Sequence, residues 1–544
     1  MASPPVDTDG KKPAWEVSGA AQDSSSTGEE QPTQRAADTV VLRDDPAAKA
    51  AFLATFTPEE EKRIMRKVDR RFLLLIGLMY MVKTIDFNNA SSVKVLQVGQ
   101  PSNILNELHM TSDQYNWVQS IYYISYILFE APSNLVLKRM TPRLWQTRIV
   151  FTWAVVLACH AAIKNRQSFY ALRFLLGMFE AGMFPGIMAQ LASWYRSDEM
   201  AKPVAWLFGV QQAASIVGSL LCYGISYMNG IGGLSAWRWV YLLEGLATIA
   251  FSGVVFFVLP DYPKSPRSNK WLSPREQDFI ETRLSENAPL THEPAFRKDE
   301  VIASLKEPSI WAFMLSQMLV NLGGYALQWY LPTITTSLGF ASLPKNQLLN
   351  IPPAAAAIAG VIFSEYFISW AIITRPAYIM IIMVGMVVCF VLFFTISSPA
   401  GIYVACVLGS LFYQIYFIPF WAWRSATLKG STGTAFTLGL QNCVGQVGGV
   451  IGPQLFVSKW AYNRYKNSFA IAGSAIIAAF FTNLWTWWLT RNTEYDVLRV
   501  ARLRRRARRE GRIFVEDDVR IFQERKFYSG VLRRNEESSQ TSFA

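Results

Sequence analysis

Twelve apolar runs set the architecture of this 544-residue chain. They cover roughly 72–92, 114–136, 146–164, 168–194, 203–227, 238–260, 309–333, 346–370, 376–396, 400–423, 433–457 and 468–490. About 20 apolar residues cross a bilayer core as a helix, so each run predicts one span. Six lie before a hydrophilic stretch at 261–308 and six after it. The predicted fold is an all-α membrane protein with 12 transmembrane helices in two six-helix bundles. Composition agrees: 17% of residues are charged and 51% hydrophobic, whereas a soluble chain carries about 25% charged residues.

Five regions follow. Residues 1–57 are rich in Ser, Thr, Pro and Asp and read as a disordered tail. Residues 58–260 hold the first bundle and 309–490 the second. Between them, 261–308 reads as a solvated linker, with eight basic residues against nine acidic ones. Its "SPRE" at 273–276 predicts a short amphipathic helix, with Ser273 as N-cap, Pro274 at N1 and Glu276 at N3. Residues 491–544 form a basic tail, with nine Arg against three acids between 491 and 513. Six Lys and Arg residues precede the first span, and Lys138, Arg139, Arg143 and Arg148 follow the second. Such loops stay inside the cell, so both termini are expected to be cytoplasmic. The Arg-rich tail is then either a solvated segment or a contact for anionic lipid. No nucleic-acid partner is expected of a tail tethered to a membrane.

A charge at bilayer depth is costly and faces a bundle interior or an aqueous cavity. The first span carries Lys83, Asp86 and Asn89, spaced by three and so on one helical face. They read as a functional face, or as a local Lys83–Asp86 pair that only locks packing. The fourth span carries Arg173 and Glu180. Two turns separate them by about 10 Å, too far for a direct pair. Each needs a partner on another helix or water, and their face should line a polar cavity. Pro185 is expected to loosen this helix near a hinge. Gln317, Asn321 and Tyr325 supply polar atoms in the seventh span, and Gln441 and Asn442 in the eleventh. These ten residues form the predicted substrate and proton pathway. Glu130, Lys138, Arg139, Arg143 and Glu244 read as structural or gating residues.

Enzymatic chemistry is not expected. No Walker loop occurs, the five cysteines show no paired spacing, and the three histidines are scattered. Neither a cofactor nor a metal is predicted.

Several stretches resemble the major facilitator superfamily, and within it the fungal anion:cation symporter branch, the allantoate permease-like group. They are "LFEAPSNLVLKRMTPRLW", "LRFLLGMFEAGMFPG", "AWRWVYLLEG", "WYLPTITTSLGF", "LLNIPPAAAA" and "VGGVIGP". The resemblance implies proton-driven uptake, with Asp86, Arg173 and Glu180 at cavity positions. The branch commonly has Asp-Arg-x-Asn in the first span; here it is "DFNN", and Phe87 replaces the cation.

The expected function is proton-coupled uptake of a small organic anion (vitamin-, carboxylate- or allantoate-like) by a monomer in the plasma membrane. Arg173 or Lys83 would attract the carboxylate, and Asp86 or Glu180 would take the proton. Export of a fungal metabolite or toxic compound, and a nutrient-sensing receptor, are the competing functions.

Overall fold

The computed structural model describes residues 46–137, 140–196, 199–284, 298–339, 344–427, 431–463 and 465–511. Before the first span come α1 (Pro46–Ala54) and α2 (Pro58–Val68). Thr57 and Glu60 close a capping box around α2, with Pro58 preset for its first turn. One π turn, Asp69–Leu73, leads into α3 (Leu74–Lys94). After the short α4 (Ile104–Glu107) follow α5 (Ser112–Leu137), α6 (Pro142–Cys159), α7 (Arg166–Glu180), α8 (Met183–Ala192), α9 (Ala201–Ile225) and α10 (Ala236–Val258). The linker holds α11 (Pro274–Thr282) and α12 (Lys298–Lys306). The second bundle is α13 (Pro308–Ser337), α14 (Ile351–Ser369), α15 (Arg375–Thr395), α16 (Pro399–Ala426), α17 (Ser431–Ile451) and α18 (Lys466–Arg509). Proline opens α6, α13 and α16, where its missing N–H costs nothing.

With α7 and α8 as one interrupted span, twelve spanning segments match the twelve apolar runs. Eight of them are long and apolar enough to cross a membrane by length and composition. The other four include α3, which carries Lys83, Asp86 and Asn89. Large apolar side chains such as Phe257, Ile381, Phe481 and Trp488 face outward, as hydrocarbon contact requires. The bundles meet along two seams, α5 on α17 and α9 on α14.

The fourth span is broken at Gly182, three residues before the proline expected to loosen it. Gly182 sits at φ 89°, a conformation that glycine adopts without a Cβ clash. Pro185 cannot donate to the Ala181 carbonyl one turn back. The Ser133 hydroxyl donates to it instead, at 2.6 Å. In α17 the expected small-residue packing is present. A Cβ at Gly448 would stand 2.6 Å from the Met318 carbonyl oxygen of α13.

Three boundaries differ from expectation, all at the end of the bundles where α2 and the linker gather, here termed the basic end. Residues 46–56, expected to belong to the tail, are helical and packed: Leu53 and Phe56 are buried, and the Phe56 ring lies 4.5 Å from Phe279 of α11. The first described part of the linker, 261–284, is packed and not solvated. Its α11 has the expected capping box at Ser273 and Glu276, while Phe279 and Ile280 are fully buried and Trp271 stacks on Trp194. The last span does not stop at 490: α18 runs on to Arg509. There Glu494 takes a two-pronged bond from Arg375, at 2.6 and 3.0 Å. Arg502 and Arg505 donate to the Trp370, Ala371 and Ile372 carbonyls just past α14. These arginines cap a helix end, which makes this part of the tail a structural element.

At the same end a charge cluster ties both halves together. Glu199 lies 3.1 Å from Arg283 of the linker and 3.6 Å from Arg504 of α18; Arg283 also reaches Glu61 of α2 at 3.4 Å. Burial alone would push the Glu199 carboxyl up, but Arg283, Arg196 and Arg508 outweigh it and hold it below the usual glutamate value. Residues 1–45 and 512–544, and Lys138 and Arg139 with their expected gating role, lie outside the described residues.

Candidate functional site

A cavity of about 70 Å³ lies between the bundles, with room for a few waters. Both halves build it: α3, α5, α8 and α9 on one side, α13, α16 and α17 on the other. Eleven of its lining side chains are aromatic and seven are amides. Among the described residues, Lys83 is the one charged side chain in its lining. The Lys83 ammonium lies 4.7 Å from the centre of the Phe87 ring, close enough for a cation–π contact. Of the predicted pathway, Lys83, Gln317, Asn321, Tyr325 and Asn442 line this cavity.

The remaining predicted residues stand behind its wall. Glu180 pairs with Lys83 at 3.2 Å, which supplies the partner on another helix that its depth demands. The local Lys83–Asp86 pair is absent. Asp86 turns into the bundle and accepts from Trp153 Nε1 and Thr248 Oγ1, both at 2.9 Å. Arg173 is fully enclosed. It donates to Asn89 Oδ1 at 3.2 Å and to Tyr241 Oη at 2.8 Å. The face carrying Arg173 therefore lies inside the N-terminal bundle and does not line the central cavity. Asn89 donates in turn to Glu244 Oε2 at 2.9 Å. Glu244, read from the sequence as a structural or gating residue, is part of this network of α3, α7 and α10. Gln441 is fully buried and donates to Gln317 Oε1 at 3.0 Å, so it orients a lining residue without lining the cavity itself.

Contacts between the bundles flank the cavity toward both ends. Toward the basic end, Asn442 donates to Glu130 Oε1 at 2.6 Å, and the Phe184 and Trp421 rings lie 5.1 Å apart. Glu130 thus latches α5 to α17. Its partner is an amide on the other bundle. Toward the opposite end, Tyr123 and Tyr325 meet at 5.1 Å, Trp329 donates to Asn116, and Ser458 donates to Asp113. Arg143, the third predicted gating cation, pairs with Asp261 at 3.6 Å and joins α6 to the linker.

Sequence reasoning missed Tyr80, Tyr122, Tyr123, Tyr126, Gln211, Gln414 and Trp421 in the lining. Tyr122, Tyr123 and Tyr126 stand at i, i+1 and i+4, a helical-face spacing that could have flagged them. Nothing local marks Trp153, Thr248 or Tyr241 as partners for buried charges.

Two helical bundles around a central cavity are an architecture found in membrane transporters. The profile of the Major Facilitator Superfamily matches residues 73–453, and the chain belongs to that family. It is a transporter of a small molecule and not an enzyme. Its relatives include the MFS transporter prlL of Fungal sp. (strain NRRL 50135), 32% identical over 58% of this chain and 62% of that one. The MFS-type transporter cnsO of Penicillium expansum is 27% identical over 83% of this chain and 88% of that one. A protein named as a tartrate transporter in Agrobacterium vitis is 28% identical over 78% and 94%. The fold matches the inward-facing structure of a bacterial homolog to the human lysosomal transporter Spinster. Its TM-score is 0.51 with 14% identity, covering 78% of this chain and 97% of that one.

Proposed function

We propose that this chain carries a small organic anion together with protons, by rocking its two bundles about the central cavity. The observation that carries the reading is Lys83, the single charge among the described residues of a wall that is otherwise aromatic and amide apart from Thr84. A carboxylate docks at Lys83, a planar or unsaturated body stacks among the tyrosines, and the amides fix its orientation. Glu180 makes this attraction proton-dependent. In the empty carrier Glu180 neutralises Lys83, and a substrate carboxylate has to compete with it. A proton on Glu180 frees Lys83 for the substrate, so each ligand favours binding of the other. Asp86 and Arg173 support the network from behind. The basic end faces the cytoplasm under the positive-inside rule, with both termini inside and the plasma membrane as the location. The resemblance to the anion:cation symporter branch and the tartrate-named relative support an anionic substrate.

The test is uptake of labelled aliphatic and aromatic carboxylates at two external pH values, with surface level measured on the same cells. Glu180→Gln should abolish pH-driven accumulation and preserve exchange of substrate. Normal surface level with unchanged pH-dependent accumulation would exclude Glu180 as the proton carrier and make Asp86 the next candidate. The aromatic lining also favours a second reading, export of an aromatic metabolite through the same cavity. Faster loss of a preloaded aromatic acid from expressing cells than from controls would select it.

A further inference from the structure

A second cavity, of about 80 Å³, lies beside the central one on the side away from the basic end. Gln328, Tyr413 and Gln414 line both, so the two share a wall. Their charges are opposite. The central cavity has one cation and no carboxylate. The second has one carboxylate, Glu244, and no cation; its other polar lining is neutral apart from the weakly acidic Cys222 and Tyr413 side chains.

Glu244 is 6% exposed. Its Oε2 accepts from Asn89, while Oε1 is enclosed with no hydrogen-bond partner among the described residues. Arg173 bonds the other end of the same Asn89 amide, so the guanidinium is relayed to Glu244 and not paired with it. Asp86 and Arg173 are the charged neighbours of Glu244. In this network two cations, Lys83 and Arg173, stand against three acids, Asp86, Glu180 and Glu244. Glu180 takes Lys83, which leaves two acids for Arg173. With both of these acids ionised, one negative charge would stand uncompensated in a low-dielectric interior, a state that a proton or a bound cation relieves.

We propose that the second cavity is a binding site for a monovalent cation, with Glu244 as its charged ligand. A stripped cation needs several neutral oxygens besides one carboxylate. Ser92, Asn88, Gln212, Ser215 and Ser219 place such oxygens on the wall. This hard-oxygen set suits an alkali ion or an ammonium group and does not suit a soft transition metal. The cation comes from one of two sources. One is a free alkali ion. The other is an ammonium group on the substrate, its carboxylate held by Lys83 across the shared wall. Only the second source rests on the function proposed above.

The experiment follows thermal unfolding of the purified full chain in detergent, with no organic acid present. Choline chloride is replaced by sodium, potassium or methylammonium chloride at constant ionic strength. A ligand that binds the folded state raises the melting temperature with saturation. The wild type should show such a rise, and Glu244→Gln should lose it. Response to sodium or potassium identifies a free ion; response to methylammonium alone identifies a substrate amine. Ser92→Ala keeps the charge but removes a hydroxyl beside Cys222, which neighbours both Ser92 and Glu244. It should raise the half-saturating concentration about tenfold, the size expected for one lost hydrogen-bond-strength ligand. If the wild type responds to none of these cations, or Glu244→Gln responds like the wild type, the proposal fails. If Glu244→Gln does not fold, an unchanged half-saturation in Ser92→Ala overturns it. Because no organic acid enters the assay, failure of the anion reading leaves this result standing.

Discussion

The two bundles carry different kinds of buried polarity. At mid-depth the N-terminal bundle holds Lys83, Asp86, Arg173, Glu180 and Glu244, linked through Asn89, Trp153, Thr248 and Tyr241. The C-terminal bundle presents neutral groups to the same cavity: Gln317, Asn321, Tyr325, Tyr413, Asn442 and Gln446. Among the described residues its buried charges lie at the basic end, as Arg375, Arg424 and Glu494. In the transport cycle proposed above, the first half would answer ions and protons and the second would recognise shape and hydrogen-bonding pattern. Glycines carry much of the second task. Gly448 brings α17 onto the backbone of α13, and the Asn321 amide bonds the Gly445 carbonyl at 3.0 Å, so the neutral wall is fixed by backbone contact.

The largest expected effect comes from removing charge in the N-terminal half. Lys83→Ala leaves Glu180 buried without its partner, a change that costs about 3–5 kcal/mol in comparable pairs. Anion uptake should fall on the order of 100-fold, while Lys83→Arg retains part of it and Gln317→Ala changes substrate preference more than rate. Equal losses from Lys83→Ala and Gln317→Ala, at equal surface level, would erase the distinction between the halves.

A smaller effect is expected where the halves meet. Asn442→Leu leaves the Glu130 carboxylate without its donor, and a bond to a charged group contributes about 1.5–3 kcal/mol. The basic end should open about tenfold more often. The readout is maleimide labelling of Cys443, which is buried and touches the Ile127 carbonyl oxygen. An unchanged labelling rate would show that the contact is not a latch.

Next comes the cluster at Glu199, which joins elements of both halves. Its carboxyl is held below the usual glutamate value, so its stabilisation is complete above that value and is lost as pH falls through the lowered one. Thermal stability of the wild type should therefore decline through the acidic carboxylate range. In Glu199→Gln it should be lower at neutral pH, by about 1–3 kcal/mol for one lost charged partner, and less sensitive to acid. Parallel pH curves would exclude the cluster as a source of stability.

The smallest effect concerns the tail. Arg502→Gln with Arg505→Gln removes bonds to three carbonyls past α14 on an exposed surface, and the melting temperature should drop by a few degrees, since each such bond contributes about 1 kcal/mol. Transport KM should stay unchanged. A large KM change would place the tail in the pathway.

Legibility followed the range of the forces. Apolar runs, proline starts and capping boxes act within a few residues, and they were readable: the twelve spans, the start of α11 and the depth of Lys83, Arg173 and Glu180 all stand in the sequence. The partners of those charges were not readable. Glu180 meets a lysine about a hundred positions earlier, and Asn442 crosses 312 positions to Glu130. The same limit hid the role of Glu244, whose neighbours come from α3 and α9.

The sequence by itself determined that the chain is a 6 + 6 helical membrane protein, because hydrocarbon admits only backbones that satisfy their own hydrogen bonds. It also determined which charges had to find company, because burial of a lone charge is strongly disfavoured. Only the tertiary structure decided who that company is. It set Lys83 on the cavity wall, turned Asp86 and Arg173 away from it, and separated a cationic chamber from an acidic one. Helical period fixes the face on which a side chain stands. What the face meets depends on how twelve helices pack, and packing is a property of the whole chain.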